Sequence, residues 1–212
     1  MERLSVSRRT PTLAAALLLS TNLVTADAAL LAHFDFEDAN GGFTLAGEDL
    51  ALNFSTGLWR DADGTSKKGT GNPGFALSTT SFHDGNRLLL ALTPAPGFDL
   101  RLSNIDFELR ASDAGPTAWQ LSLADSQVAS GSTTATSFKA EHIALNSAFF
   151  NGPLELALSA SGARLPAGTL RLDNFKLHGT LQPSVSAVPL PALGWVFGGA
   201  ALGLARWRRR SV

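Results

Sequence analysis

Apolar and polar residues alternate along the segment Leu170-Arg171-Leu172-Asp173-Asn174-Phe175-Lys176-Leu177. Successive side chains of a β-strand point to opposite faces of its sheet, so a period of two predicts a half-buried strand. Three more segments share this period and predict further antiparallel strands, at 98–102, 105–110 and 154–158.

Shorter or less regular runs predict six additional strands, at 30–36, 50–54, 74–80, 87–92, 118–123 and 138–145. Turn-forming clusters of Gly, Pro, Asn and Asp separate these runs, and no segment of the body has the period of a helix. The sequence therefore predicts an all-β body at 29–181, a single antiparallel β-sandwich of about eight to ten strands with a jelly-roll-like topology. A short linker is predicted at 182–187.

Composition limits the function classes. The chain of 212 residues has no Cys and a formal net charge of -1. No disulfide is possible, so an exported body must rely on its core or on a bound metal, and the charge gives no basis for nucleic-acid binding. The sequence has no H-x-x-x-H or H-E-x-x-H pair, no G-x-S-x-G elbow and no Cys nucleophile. We therefore expect a noncatalytic protein.

The N-terminus has the pattern of an export signal. A region containing three arginines precedes an apolar stretch at 13–19, and Ala26-Asp27-Ala28 follows. A basic region, a short apolar region and an A-x-A site occur in this order in secretory signal peptides. We expect residues 1–28 to be such a signal, read by the secretion translocon and cleaved before Ala29.

The C-terminus combines a proline box, an apolar run and a basic stop. The box is Val188-Pro189-Leu190-Pro191-Ala192, and the uncharged run reaches residue 205. A helix of this length spans about 21 Å, so flanking residues must extend it toward the hydrocarbon thickness of about 30 Å. One transmembrane helix is predicted at 190–207. The stop consists of Arg206, Arg208, Arg209 and Arg210, which the positive-inside rule places in the cytoplasm.

This tail resembles the PEP-CTERM sorting signal of Gram-negative, exopolysaccharide-producing bacteria, in its VPLPA variant. The resemblance covers 188–210 and implies that an exosortase cuts near the box, so that Val188 to Ala192 form a substrate. It also implies a transient inner-membrane anchor, followed by release to the cell surface or extracellular matrix. A permanent anchor on a periplasmic domain is the alternative.

Two functions follow from this resemblance. The first is a noncatalytic surface or matrix protein associated with exopolysaccharide and biofilm. Bodies of such proteins often resemble carbohydrate-binding modules in outline, so the second is a carbohydrate-binding or, less favoured, glycoside-acting sandwich exported by the same route.

Acidic residues suggest structural calcium at two places. Asp35 and Glu37 lie at the end of the first predicted strand and Asp173 lies in the last. These strands are neighbours in a jelly roll, so Glu37 and Asp173, with Asp35 beside them, are predicted to meet at one cation. The loop Asp61-Ala62-Asp63-Gly64 has the spacing of a calcium loop but no downstream Glu. Solvated carboxylates and a plain turn are the alternatives.

Trp59 is the candidate for ligand stacking. It lies in a polar, glycine-rich region, where an exposed indole would stack on a sugar ring. Packing beneath its own loop is the alternative. Trp119 alternates with Leu121 and Leu123, which predicts a core position.

Overall fold

A computed structural model describes residues 28–82, 85–146 and 149–184 of the chain. The regular elements in these ranges are β-strands: β1 (Ala29–Phe34), β2 (Phe54–Thr56), β3 (Arg60–Asp61), β4 (Lys67–Thr70), β5 (Phe75–Thr79), β6 (Arg87–Pro94), β7 (Phe98–Ala111), β8 (Ala118–Leu123), β9 (Ser126–Ser132), β10 (Lys139–Ala144), β11 (Phe150–Asn151), β12 (Leu154–Ser161) and β13 (Leu170–Pro183).

Several predicted segments lie outside the described residues. These are nearly all of the N-terminal signal, the proline box, the helix at 190–207 and the arginine stop. In the part of the chain that the structure describes, no helix is long and apolar enough to cross a bilayer.

The strands form two antiparallel sheets packed face to face, which confirms the predicted all-β sandwich. The first sheet has the order β10-β7-β13-β5-β4, with β1 paired to β13 and β11 paired to β7. The second sheet has the order β2-β6-β12-β8-β9, with β3 paired to β6. The first and last strands are therefore neighbours, since Phe34 lies opposite Phe175.

The core lies between the sheets and consists of the apolar side chains that the alternation predicted. Leu156 and Leu158 of the second sheet and Leu172 and Leu177 of the first are fully buried. Burial of each such side chain contributes about 1.5 to 3 kcal/mol. Trp119 is 2% exposed, and its ring meets that of Phe107 edge-on, with 5.2 Å between the ring centroids. The predicted core position of Trp119 is confirmed.

The long pair β7 and β13 forms the centre of the first sheet. The predicted strands 98–102 and 105–110 are one strand, because a register shift opposite His178 and Gly179 absorbs the extra residue and resets the alternation. A second shift, between Asp173 and Lys176, accommodates the two adjacent polar residues of β13. The second irregularity bears on the site described below.

The structure moves one predicted boundary. Gln182 and Pro183, predicted as the start of the linker, pair with Asp99 and Phe98 and belong to β13. Ser184 also donates its backbone N–H to the carbonyl of Gly97, 2.8 Å away. Because the first residues of β7 pair with this segment, β13 continues past the last residue of its alternating apolar pattern.

Candidate functional site

The carboxylates of Glu37 and Asp173 converge on residues 71–75, the connection between β4 and β5 together with the first residue of β5, which we call the loop at 71–75. Asp173 Oδ2 accepts the backbone N–H of Asn72 at 2.7 Å, and Glu37 Oε1 accepts that of Phe75 at 2.9 Å. Pairing of β1 with β13 brings the two acids to the same end of the first sheet. Both acids therefore contact one loop, and the binding of one cation by Glu37 and Asp173 stays a prediction.

Two glycines of this loop make the close approach possible. A Cβ placed on Gly74 would lie 1.5 Å from Glu37 Oε1, and one on Gly71 would lie 2.6 Å from Asp173 Oδ2. Gly74 also has a φ of +74°, a region that other residues rarely adopt. The loop backbone thus rests directly on both carboxylates.

A bulge in β13 aims Asp173 at the loop. Asn174 adopts a φ of +47° and donates its backbone N–H to Asp173 Oδ1 at 2.8 Å. Its side-chain amide also donates to the carbonyl of Asn72 at 3.3 Å. Asn tolerates this left-handed conformation better than most residues, so the Asp-Asn pair suits the bulge.

Asp173 is a buried acid with an unfavourable charge. It is 1% exposed. Burial raises its pKa to about 6 despite hydrogen bonds from the backbone N–H groups of Asn72 and Asn174, and the charges of Glu108 and Asp35 raise it further. Within the described ranges, Asp173 and Glu37 form no ion pair with a basic side chain. A cation at this position would offset the cost of ionising Asp173.

Asp35 has a different partner from the one predicted. Its Oδ1 accepts the backbone N–H of Glu37 at 2.8 Å, and its carboxyl group is hydrogen-bonded to that of Glu48. This hydrogen bond, then burial and nearby acids, raise the pKa of Glu48 to about 7. Burial opposes ionisation of Asp35, but hydrogen bonds from Glu48 and Glu37 outweigh it and lower the pKa of Asp35. The carboxyl group of Asp35 therefore faces that of Glu48, and its role as a metal ligand stays a prediction.

The remaining donors suit calcium better than other metals. No three His, Cys, Asp or Glu side chains among the described residues are arranged to hold a metal ion. An ion between Glu37 and Asp173 would therefore take two carboxylates and complete its shell with backbone carbonyls and water. Calcium accepts such oxygen ligands in flexible geometry, whereas zinc prefers a fixed set of His, Cys or carboxylate side chains.

The second predicted calcium loop is a hydrogen-bonded turn. Asp61 accepts the hydroxyl groups of Thr65, Ser66 and Thr79 at 2.8 to 3.0 Å, and the backbone N–H of Thr65 at 2.8 Å. Burial opposes its ionisation, but these hydrogen bonds outweigh burial and lower the pKa of Asp61. Protein donors occupy this carboxylate, as they also do at Asp173, and calcium at this loop stays a prediction.

The structure contradicts the prediction that Trp59 is exposed and available to stack on a sugar ring. Trp59 is 1% exposed, and its ring centroid lies 5.0 Å from that of Phe175 and 6.0 Å from that of Phe34, both edge-on. Its neighbours Leu58 and Arg60 are exposed, so the chain here alternates between core and solvent like a strand. The polar sequence around Trp59 concealed this alternation.

A groove that the sequence did not predict lies on the outer face of the first sheet, where β10, β7 and β13 are adjacent. We call it the polar groove; its volume is about 390 Å³, and its polar lining residues are Asp106, Glu108, Glu141, His142, Asn174 and Lys176. Most of these residues were recognisable as outward positions of a strand. Their meeting depends on strand order, which a single sequence does not contain.

Hydrogen bonds hold the side chains of the polar groove in place. One oxygen of Asp106 contacts Nδ1 of His142, and the other lies 3.3 Å from Nε2 of His178. Asn104 also donates its amide to Asp106 at 2.9 Å. Glu108 accepts the side-chain amide of Asn72 at 3.1 Å, which links the groove to the loop at 71–75.

The outer face of the second sheet offers much less polar chemistry. Its central strands present mainly small or uncharged side chains to solvent, including Ala91, Gln120, Ala157 and Ser159. Arg60 and Glu155 form an exposed ion pair there, 2.7 Å apart. The first sheet therefore carries the candidate binding face of this two-sheet sandwich.

Comparison with known proteins adds little beyond this description. No family model and no curated protein matches the chain. Among solved structures, it is similar to the CBM22-1 xylan-binding domain of Paenibacillus barcinonensis Xyn10C, with 13% identity over 72% of this chain and 95% of that one and a TM-score of 0.45. It is also similar to a cleaved adhesin domain of Lys-gingipain from Porphyromonas gingivalis, with 14% identity over 70% of this chain and 98% of that one and a TM-score of 0.43. Likeness at this level assigns no ligand.

Proposed function

We propose that this chain is an exported, noncatalytic polysaccharide-binding protein whose glycan lies in the polar groove. The observation that carries the proposal is the groove itself, where hydrogen-bonding side chains from three adjacent strands face one cavity. Binding sites of this kind combine a preformed cavity with a few convergent polar groups.

The groove offers the donors and acceptors that sugar hydroxyls need. Asp106 and Glu108 accept hydrogen bonds, Lys176 donates them, and the Asn174 amide does both. Hydrogen bonds to ionised groups are stronger than neutral ones. Because Asp106 is already held by two histidines, little conformational entropy is lost when it binds a ligand.

The placement of the acids favours binding over hydrolysis. Asp106 and Glu108 extend from the same strand and face, and the third acid of the groove, Glu141 on β10, is paired with Lys139 at 2.7 Å. Glycoside hydrolysis requires two carboxyl groups that flank the scissile bond. This arrangement supports the expectation that the protein is not an enzyme.

A calcium ion between Glu37 and Asp173 belongs to this proposal as a structural element. Its effect would be to fix the loop at 71–75, whose backbone N–H groups already contact both acids. Asn72 of the same loop contacts Glu108 of the polar groove. The ion would thereby position one wall of the binding site.

The sorting function rests on the sequence pattern of the tail. We propose that a PEP-CTERM-type signal anchors the chain through the helix at 190–207 until an exosortase cuts near Val188 to Ala192, which leaves a jelly-roll-like body in an exopolysaccharide-rich surface or matrix. Mass spectrometry of the mature protein tests this proposal. Loss of Arg206 to Arg210 is expected, and their retention would exclude processing.

Affinity electrophoresis against neutral and acidic polysaccharides tests glycan binding. Lys176→Ala should abolish retardation, because it removes a charged donor from the groove. Arg60→Ala, an exposed change on the second sheet, is the matched control and should bind like the wild type. Equal retardation of both variants, or no retardation of the wild type by any polysaccharide, would refute the assignment.

A further inference from the structure

A second groove lies on the outer face of the first sheet, beside its edge strand β4. We call it the basic groove; it has a volume of about 580 Å³, and the charged side chains that line it are Lys67, Lys68 and Arg171. Gly69 and Ser78 contribute small surfaces between them. No Asp or Glu is among the described residues that line this groove.

Strand register arranges the positive charges in a row across the sheet. Lys67 lies opposite Ser78, Ser78 opposite Arg171, and Arg171 opposite Arg110. Neighbouring strands are about 4.8 Å apart, so Arg171 and Arg110 are adjacent and Lys67 lies about 10 Å from Arg171. The row crosses β4, β5, β13 and β7.

This row is not neutralised by the protein. Among the described residues, Lys67, Lys68 and Arg171 form no ion pair. Lys68 instead lies over the ring of Phe75, with its Nζ 3.3 Å from the ring centroid. Like charges directly opposite each other on a sheet are destabilising, so Arg171 beside Arg110 reduces the stability of the folded chain. An anionic ligand would remove this repulsion.

We infer that the basic groove binds the carboxylates of an acidic polysaccharide, so that the ligand class of the protein is a uronic-acid glycan. This inference rests on the proposed function. Arg binds carboxylates through two parallel hydrogen bonds, which suits Arg171 of the groove. Arg110, beside it in register, donates its Nε–H to the carbonyl of Ala135 at 3.2 Å and adds positive charge behind the groove. Lys67, two strands away from Arg171, can meet a second acidic group of the same chain.

The two grooves are joined by the loop at 71–75. Gly74 lines the basic groove, and Asn72 donates to Glu108 of the polar groove. One extended glycan can therefore place hydroxyls in the polar groove and carboxylates in the basic groove. Glu37 is a carboxylate beside this loop, and a calcium ion bound to it would offset its repulsion of the ligand.

The test compares charged and neutral forms of the same glycans on the whole exported protein. The probes are polygalacturonate, alginate and hyaluronan, each with its carboxyl-reduced neutral counterpart, in affinity electrophoresis. We expect at least one acidic form to bind about tenfold more tightly than its neutral form, with the difference shrinking as salt rises. The double variant Lys67→Gln/Arg171→Gln should lose this difference.

The control is Arg60→Gln/Arg87→Gln, which removes the same charge from exposed positions of the second sheet and should keep the preference. Thermal unfolding confirms that each variant is folded. Equal binding of acidic and neutral forms, an unaffected double variant, or equal binding of a single-stranded DNA would overturn the inference. Neutral-glycan binding that still responds to Lys176→Ala would then leave the proposed function standing, whereas absence of all glycan binding would refute both.

Discussion

Replacing the buried acid Asp173 by its neutral analogue should stabilise the calcium-free protein. The carboxylate is 1% exposed and has no ion-pair partner among the described residues, so ionising it opposes folding. Asp173→Asn keeps the shape and removes the charge. The variant should therefore be more stable than the wild type in a calcium chelator at pH 7, although it loses a group proposed to bind calcium.

The magnitude follows from the pKa of Asp173. A rise from 3.8 to about 6 on folding costs about 3 kcal/mol at neutral pH, at about 1.4 kcal/mol for each tenfold change in proton affinity. Asn offers one acceptor oxygen where Asp uses both, so its NH2 group faces one buried backbone N–H, and these unsatisfied donors cost about 2 kcal/mol. The net gain should be about 1 kcal/mol.

The pH dependence has a defined sign. The folded pKa is the higher one, so the stabilising contribution of protonated Asp173 is complete below about pH 4 and is lost as the pH rises through about 6. The advantage of Asp173→Asn should appear across this window and be absent at pH 3.5.

Urea unfolding followed by tryptophan fluorescence measures both effects, with and without calcium. Calcium should raise the unfolding midpoint of the wild type and leave that of Asp173→Asn unchanged. If the variant is less stable than the wild type in chelator at pH 7, the reasoning fails. The carboxylate would then be an ordinary hydrogen-bonding group of the bulge.

Two further perturbations separate the roles of neighbouring residues. Gly74→Ala should abolish the calcium-dependent shift in unfolding midpoint, because its Cβ would lie 1.5 Å from Glu37 Oε1. The control Gly64→Ala has a similar φ of +68° and nothing within 4 Å of its Cβ, so it should lose about 1 kcal/mol of stability and keep the shift. Equal behaviour of the two variants would contradict the site. Trp59→Ala should destabilise the fold by about 3 to 5 kcal/mol in urea unfolding by leaving a core cavity, yet keep glycan retardation wherever it remains folded. Selective loss of retardation by a folded variant would make Trp59 a ligand contact after all.

The period of two predicted the strands that line the core, because burial on one face imposes it. It predicted the bounds of β8 without error and placed β12 and β13 correctly. It missed β9, Ser126–Ser132, whose side chains are small or polar and only partly buried or exposed. Such edge strands are held mainly by backbone hydrogen bonds, which leave no apolar signature in the sequence.

The candidate site was predictable only where chain order determines proximity. The first and last strands of such a sandwich were expected to pair, and they do, which brings Glu37 and Asp173 to the same loop. The loop that they hold was not predictable, because its position depends on the packing of β4 and β5 against β13. The pairing of Asp35 with Glu48 was not predictable either, because it depends on a β-bridge between His33 and Glu48 that the sequence pattern does not indicate.

The loop at 71–75 explains why three features occur together on one sheet. Its backbone holds Glu37 and Asp173, Asn72 reaches the polar groove, and Gly74 borders the basic groove. If calcium orders this loop and the glycan contacts both of its sides, each ligand must strengthen the binding of the other by the same factor, because binding free energies are linked reciprocally. The protein would then hold its glycan best where calcium is abundant.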